Sequence, residues 1–182
     1  MPERRVALVL LAAGEGVRFG GDKLAATFRG GSLIDHALAA AEAATVAERI
    51  VVRRHNAPPL TLGSHWTSVI NAQSAEGIAS SIRAGIAAAQ DAARIVITLA
   101  DMPFIDAAHL DRLAKANGTV FTRQADGSPG PPAGFDRSSF GRLLTLRGDR
   151  GAASLEFGDA RIIDPMSSLQ LRDIDRPEDL DR

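Results

Sequence analysis

The chain has 182 residues, a formal net charge of −1 and no cysteine, with 45% hydrophobic and 4% aromatic residues. This length suits one domain, predicted to span residues 1–182, with an aliphatic core because aromatic side chains are scarce. The balanced charge shows no electrostatic footprint of a nucleic-acid-binding protein, and no apolar run reaches the roughly 18 residues of a membrane span. The absence of cysteine gives no sign of an oxidising compartment, and we therefore predict a cytoplasmic protein without nucleic-acid or membrane partners.

Short apolar runs alternate with helical patterns along most of the chain. The predicted strands cover residues 6–12, 49–53, 67–71, 94–100, 119–123, 160–164 and 169–175. The predicted helices cover residues 33–44, 78–93, 106 to about 118, 137–146, 151–157 and a last one from 176. Ser32 and Asp35 form a capping box for the first helix, and Asp106 caps the third. The proline-rich segment 125–135 is predicted to be a loop.

The alternation of strands and helices favours an α/β fold with three α/β/α layers around a mostly parallel, Rossmann-like sheet. Ligands of such sheets bind at the carboxyl ends of the strands. This rule places the glycine-rich segment 14–23, Asp101 and Asn71 on one rim of the sheet. The apolar run over residues 6–13 also admits a secretory signal, but Glu3 and the glycines that follow the run at once favour a buried strand.

The loop after the first strand, LAAGEGVRFGGDK, matches no common phosphate-binding motif. It is not a Walker loop, because Asp22 directly precedes Lys23 and no serine or threonine follows that lysine. It is not the dinucleotide fingerprint, because Phe19 stands at the third glycine position. Two alternatives remain at this point: an NADP site that uses Arg53 and Arg54, and an ordinary glycine turn with solvated cations.

The same loop resembles the opening motif of the MobA-like nucleotidyltransferases, L-A-[AG]-G-x-[GS]-x-R-[MF]-G-x-x-K. Four later segments resemble further motifs of that family in its order: NAQSAEGIASSIRAGI for base recognition, LADMP for metal binding, GPPAGFDRSSFGRLLTLRGDRGA on the acceptor side, and DIDRPEDL at the close. The resemblance covers nearly the whole chain, and within the family it is to the molybdenum cofactor cytidylyltransferases. It implies a sheet of the nucleotide-diphospho-sugar transferase type and transfer of CMP from CTP to molybdopterin, with release of pyrophosphate.

The resemblance also implies a role for each matching residue. Arg18, Lys23 and Asp101 are the implied catalytic residues: the two cations hold the phosphates, and the carboxylate holds Mg²⁺. Asp173 is the first choice for a second metal ligand, and Asp175 is the second choice. The implied nucleotide-binding residues are Ala12, Ala13, Gly14, Gly16, Arg18, Lys23, Asn71, Gly77 and Ser81.

Ala13 stands where the guanylyl branch of the family typically carries glycine, and its methyl group favours a pyrimidine over a purine. Guanylyl transfer, or nucleotidyl transfer to a sugar phosphate, is the first alternative. The second is a non-catalytic nucleotide- or cofactor-binding protein, which would not need Arg18, Lys23 and Asp101 together. A molybdoenzyme or its chaperone is a further partner that the resemblance implies.

Overall fold

The structure is a computed structural model that describes residues 4–14, 16 and 19–180. Its strands are β1 (Val6–Ala12), β2 (Thr27–Phe28), β3 (Gly31–Ser32), β4 (Glu48–Arg54), β5 (Trp66–Asn71), β6 (Arg94–Leu99), β7 (Val120–Arg123), β8 (Pro129–Asp136) and β9 (Arg161–Ile163). Its α-helices are α1 (Leu33–Ala43), α2 (Ile78–Ala88), α3 (Ala107–Lys115) and α4 (Phe140–Leu143). Single 3₁₀ turns connect several of these elements.

Within the described part of the chain, seven strands form one sheet in the order β5-β4-β1-β6-β8-β7-β9, and β2 pairs with β3 apart from it. β1 lies between β4 and β6 and is parallel to both, and β4 is parallel to β5. β8 runs antiparallel between β6 and β7, while β9 is parallel to β7. The predicted mostly parallel sheet is therefore confirmed.

Helices cover both faces of this sheet because the side chains of β1 alternate between two apolar clusters. Val9 and its neighbours two residues away pack with α2 and α4 on one face. Leu8 and Leu10 pack with α1 and α3 on the other face. Helix α2 lies especially close to the sheet, since a Cβ on its Gly85 would overlap Val9. The three predicted layers are thus confirmed.

The segment predicted to be a loop, 125–135, contains most of strand β8, so that prediction was wrong. Prolines normally argue against an interior strand because they lack the N–H donor. Here the ladder with β6 covers only the stretch from Ala133 to Asp136. Pro129 pairs with β7 alone, beyond a bulge between Phe121 and Thr122. The prolines therefore lie where the ladder with β6 has already ended.

The strand predicted over residues 169–175 was also wrong, because this segment begins with a 3₁₀ turn, Ser168–Leu171. Leu169 is exposed, whereas Gln170 is buried and its Oε1 accepts a hydrogen bond from the N–H of Met166 at 3.0 Å. The polar Gln170 is therefore inside and the apolar Leu169 is outside, which is the reverse of the burial that a strand would require. The helices predicted over residues 151–157 and from residue 176 were wrong as well, because each is a single 3₁₀ turn, Ala152–Ser154 and Pro177–Asp179.

The predicted helix starts are confirmed in two places. The N–H of Ser32 donates to Asp35 Oδ2 at 2.8 Å, and Asp106 Oδ1 accepts from the N–H of His109 at 2.8 Å. No helix in the described ranges is long and apolar enough to cross a lipid bilayer.

Candidate active site

A cleft of about 430 Å³ opens at the carboxyl ends of β1 and β6. One wall is the loop after β1, and the other is the start of α2 with the adjoining residue Asp149. The sheet topology therefore places the cleft on the rim where ligands of parallel sheets bind. Eight of the predicted site residues line it: Ala12, Ala13, Gly14, Gly16, Lys23, Gly77, Ser81 and Asp101.

Lys23 lies at the centre of the charged end of this cleft. Its Nζ is 2.8 Å from Asp101 Oδ2 and 3.2 Å from Asp175 Oδ1, and its side chain is 12% exposed. Burial by itself lowers the pKa of Lys23, but the charges and hydrogen bonds of the two aspartates outweigh burial and raise it. The lysine is therefore a fixed positive charge beside the glycine-rich loop.

Asp175 reaches this place because the end of the chain docks on the end of β6. The N–H of Ile174 donates to the carbonyl oxygen of Asp101 at 3.0 Å. The side chain of Ile174 is fully buried in a small cluster with Phe28 and Leu33. Asp175 thus contacts Lys23, and it is Asp179 that accepts the backbone hydrogen bonds at the start of the last turn.

Asp173 lies in the same group of carboxylates. Burial raises the pKa of Asp173, and the negative charges of Asp175 and Asp101 raise it further. In addition, Asp101 Oδ1 is buried without a hydrogen-bond partner in the described part of the molecule. Crowded carboxylates and an unpartnered carboxylate oxygen suit a hard divalent cation.

These carboxylates do not form a complete metal cage by themselves. Among residues 4–14, 16 and 19–180, no three histidine, aspartate or glutamate side chains are grouped as a metal site. A cation here would need further ligands from a bound molecule. This is the usual arrangement for Mg²⁺, which takes one or two carboxylates together with phosphates of the substrate.

Asn71 lies at the end of β5, where it was expected, but it does not line the cleft. Its Nδ2 donates to Ser80 Oγ at 2.8 Å and to Ser81 Oγ at 3.0 Å, and its Oδ1 accepts from the N–H of Gln73. The side-chain amide is thus engaged within the protein. Asn71 orients Ser81, which does face the cleft.

Gly77 precedes α2 with a φ of 100°, a conformation that favours glycine. A Cβ at this position would overlap Asp149 Oδ1 and come within 2.5 Å of the carbonyl carbon of Gly148. Glycine is therefore required here by the close approach of the segment 148–149. Asp149 is a cleft residue that the sequence reasoning missed, although its segment, GDRG, was noted within the acceptor-side motif.

The three arginines considered for phosphate binding, Arg18, Arg53 and Arg54, differ in what the structure shows of them. Arg18 lies outside the described residues. Arg54 forms an ion pair with Asp22 of the glycine-rich loop at 2.9 Å, and Arg53 donates to the carbonyl oxygens of Ala57 and Pro58. Both guanidinium groups considered for an NADP phosphate therefore have partners within the protein, and the pair between Arg54 and Asp22 ties the loop to β4.

The sequence model of the MobA-like NTP transferase domain matches residues 8–161 of this chain. The chain belongs to the MobA-like NTP transferase family. Its members are nucleotidyltransferases, which accounts for a glycine-rich loop, a lysine and carboxylates gathered around one cleft. The family and the fold together identify the protein as an enzyme of this general type, acting on nucleoside triphosphates.

Known relatives resemble the chain over nearly its full length. It is 30% identical to the purine catabolism protein PucB of Bacillus subtilis (strain 168), over 95% of this chain and 93% of that protein. The structure of Rv0371C from Mycobacterium tuberculosis H37Rv in complex with manganese is 26% identical, with a TM-score of 0.72 over 96% of this chain and 95% of that one. A Methanothermobacter nucleotidyl transferase, 23% identical, shares the fold with a TM-score of 0.82 over 97% and 94% of the two chains.

Proposed function

We propose that this MobA-like enzyme transfers CMP from CTP to molybdopterin and releases pyrophosphate. The observation that carries the proposal is Lys23, held by Asp101 and Asp175 beside the glycine-rich loop in the cleft. A largely buried cation beside a glycine-rich loop suits a triphosphate. Ala13 lines the cleft while it is buried in the core cluster on the α2 face, and its place in the motif supports the smaller pyrimidine base.

The reaction requires positioning and charge stabilisation rather than a general base. The terminal phosphate of molybdopterin is already ionised, and one of its oxygens attacks the α-phosphorus of CTP. A new P–O bond forms there while the bond to the β-phosphate breaks, and pyrophosphate leaves with the charge. Lys23 would stabilise that charge, assisted by Arg18 of the same loop.

A divalent cation fits the carboxylates of this site, and the manganese complex of the mycobacterial relative supports its use. We propose Mg²⁺, held by Asp101 through Oδ1, the oxygen that Lys23 leaves without a partner among the described residues, with Asp173 of the same carboxylate group as the second ligand. Asp175 is the alternative second ligand. The ion would supply positive charge at the α-phosphate.

A second, smaller cavity of about 80 Å³ adjoins the cleft. The two share Leu11, Ile78 and Leu99, and Pro131 and Ala152 also line the smaller one. Pro131 and Ala152 belong to the segment GPPAGFDRSSFGRLLTLRGDRGA, which resembles the acceptor-side motif of the molybdenum cofactor cytidylyltransferases. We therefore propose molybdopterin as the acceptor. Delivery of the product to a molybdoenzyme or its chaperone, and a cytoplasmic location, stay predictions.

The proposal is tested by incubating the protein with each nucleoside triphosphate in turn, Mg²⁺ and molybdopterin, and measuring pyrophosphate release. We expect the fastest release with CTP and none without molybdopterin. Equal or faster release with GTP would move the protein to guanylyl transfer. Release that requires a sugar phosphate instead of molybdopterin would refute the acceptor.

A further inference from the structure

Asp149 is a cleft residue to which the proposed reaction gives no task. It is exposed to the cleft, and its carboxylate lies against Gly77 at the start of α2. Ser81, Ala13, Lys23 and Asp101 line the same cavity, and the proposed function assigns the phosphates to Lys23 and Asp101.

The position of Asp149 is fixed by the backbone on its amino-terminal side. The carbonyl oxygen of Gly148 accepts a hydrogen bond from the N–H of Ala79 at 3.1 Å. Two residues earlier, the carbonyl oxygen of Leu146 accepts from Arg83 Nη1 at 2.8 Å, and the Leu146 side chain is buried. The segment is thus held on α2 at two points, which gives its carboxylate a defined location.

The charge of Asp149 is not neutralised by an ion pair within the described part of the chain. The arginines on either side of it direct their guanidinium groups to backbone oxygens: Arg147 to Leu144 and Leu146, and Arg150 to Ser154. An unpaired carboxylate repels a triphosphate. The phosphates therefore belong at the Lys23 end of the cleft, and the base belongs at the end where Asp149 lies.

We infer that Asp149 recognises the exocyclic amino group of the nucleobase and so selects CTP over UTP. An ionised carboxylate only accepts hydrogen bonds. Cytosine offers an amino group at C4, which is the usual partner of aspartate and glutamate, whereas uracil presents a carbonyl oxygen there. This inference rests on the proposed function, because it needs a nucleotide in the cleft.

The test is equilibrium binding of CTP and UTP with Mg²⁺ and without any acceptor, by competition against a fluorescent nucleotide. The unmodified protein should bind CTP about tenfold or more tightly than UTP. Asp149→Asn should reduce this ratio towards one, since an amide also donates to the uracil oxygen. Asp149→Ala should weaken CTP binding but should not weaken UTP binding, because a carboxylate makes no hydrogen bond to the uracil oxygen. Asp91→Asn, an exposed aspartate just before the amino end of β6, is the matched control and should keep the ratio.

The possible failures are distinguishable. If no nucleotide binds the unmodified protein, the proposed function and this inference fail together. If CTP binds but is not preferred over UTP, or if Asp149→Asn keeps the preference, only the role of Asp149 is overturned. In a separate titration with molybdopterin, weaker binding by an Asp149→Asn variant that keeps its nucleotide preference would assign Asp149 to the acceptor and also overturn the inference.

Discussion

Lys23 lies between carboxylates that come from different parts of the chain, and this arrangement explains why its charge is retained. Asp101 follows β6, and Asp175 lies near the carboxyl terminus, yet both contact the same ammonium group. An ammonium group that is largely removed from water is costly unless it is paired. The two aspartates provide that pairing and hold the lysine where a triphosphate would approach the loop.

Replacement of Lys23 by methionine is expected to weaken CTP binding by about tenfold or more. Methionine keeps much of the side-chain length but loses the charge, and an exposed charge contributes only about 0–1 kcal/mol. Isothermal titration with CTP and Mg²⁺ measures the change. Lys115→Met, in the last turn of α3, is the control. Equal CTP affinity in the two variants would show that Lys23 does not contact the phosphates.

Ala13→Gly is expected to narrow the preference for CTP over GTP. Removal of one methyl group from the cleft makes room for a purine, and such a change in a pocket is worth about 1–3 kcal/mol. The ratio of kcat/KM for the two nucleotides measures the effect. Ala93→Gly removes a methyl group at the amino end of the sheet and should leave the ratio unchanged. An unchanged ratio in Ala13→Gly would mean that this methyl group only packs beneath β1.

At the scale of elements, a buried histidine connects α3 to the irregular strand β8. Thr122 donates its hydroxyl hydrogen to the carbonyl oxygen of Pro132 at 2.6 Å, so its oxygen accepts from His109 Nε2 at 2.7 Å. His109 Nδ1 has no partner in the described part of the chain. Burial lowers the pKa of His109 below 6.5, and the charge of Arg112 adds to this. The folded protein therefore holds this histidine neutral.

This histidine should make stability depend on pH. The unfolded chain takes up a proton at His109 as the pH falls below 6.5, whereas the folded protein resists it. The stabilising contribution is therefore present above 6.5 and is lost as the pH falls below that value. Urea unfolding measures the free energy of unfolding at about pH 7.5 and about pH 5.5. Between these two values it should fall less in His109→Gln than in the unmodified protein. The exposed His55→Gln is the control, and an equal loss in both variants would contradict this role.

Sequence patterns predicted the buried strands that consist of continuous apolar runs, such as β1 and β6. They did not predict β8, because its three prolines are typical of a loop. The segment is a strand because it pairs with β6 and β7. The prediction for segment 169–175 was wrong for the opposite reason, since its alternating leucines are typical of a strand. In both cases, tertiary contacts decided the structure against the local pattern.

At the scale of the whole molecule, the site depends on the meeting of distant segments at one rim of the sheet. The sequence placed the glycine-rich loop, Asp101 and Asn71 on this rim, because the carboxyl ends of parallel strands meet there. It could not show that Asn71 orients Ser81, that Asp149 lies over Gly77, or that an ion pair ties the loop to β4. These contacts join residues that are far apart in sequence, and the spacing of apolar residues along the chain contains no information about them.

The most direct measurement is the transfer of labelled CMP from α-labelled CTP to molybdopterin, with the product identified by mass spectrometry. The unmodified protein with Mg²⁺ should form molybdopterin cytosine dinucleotide, and Asp101→Asn should slow its formation about 10²-fold or more. Asp126→Asn, in the turn before β8, should form it at the unmodified rate. Absence of labelled product with the unmodified protein, or an Asp101→Asn variant as fast as the unmodified protein, would contradict the account.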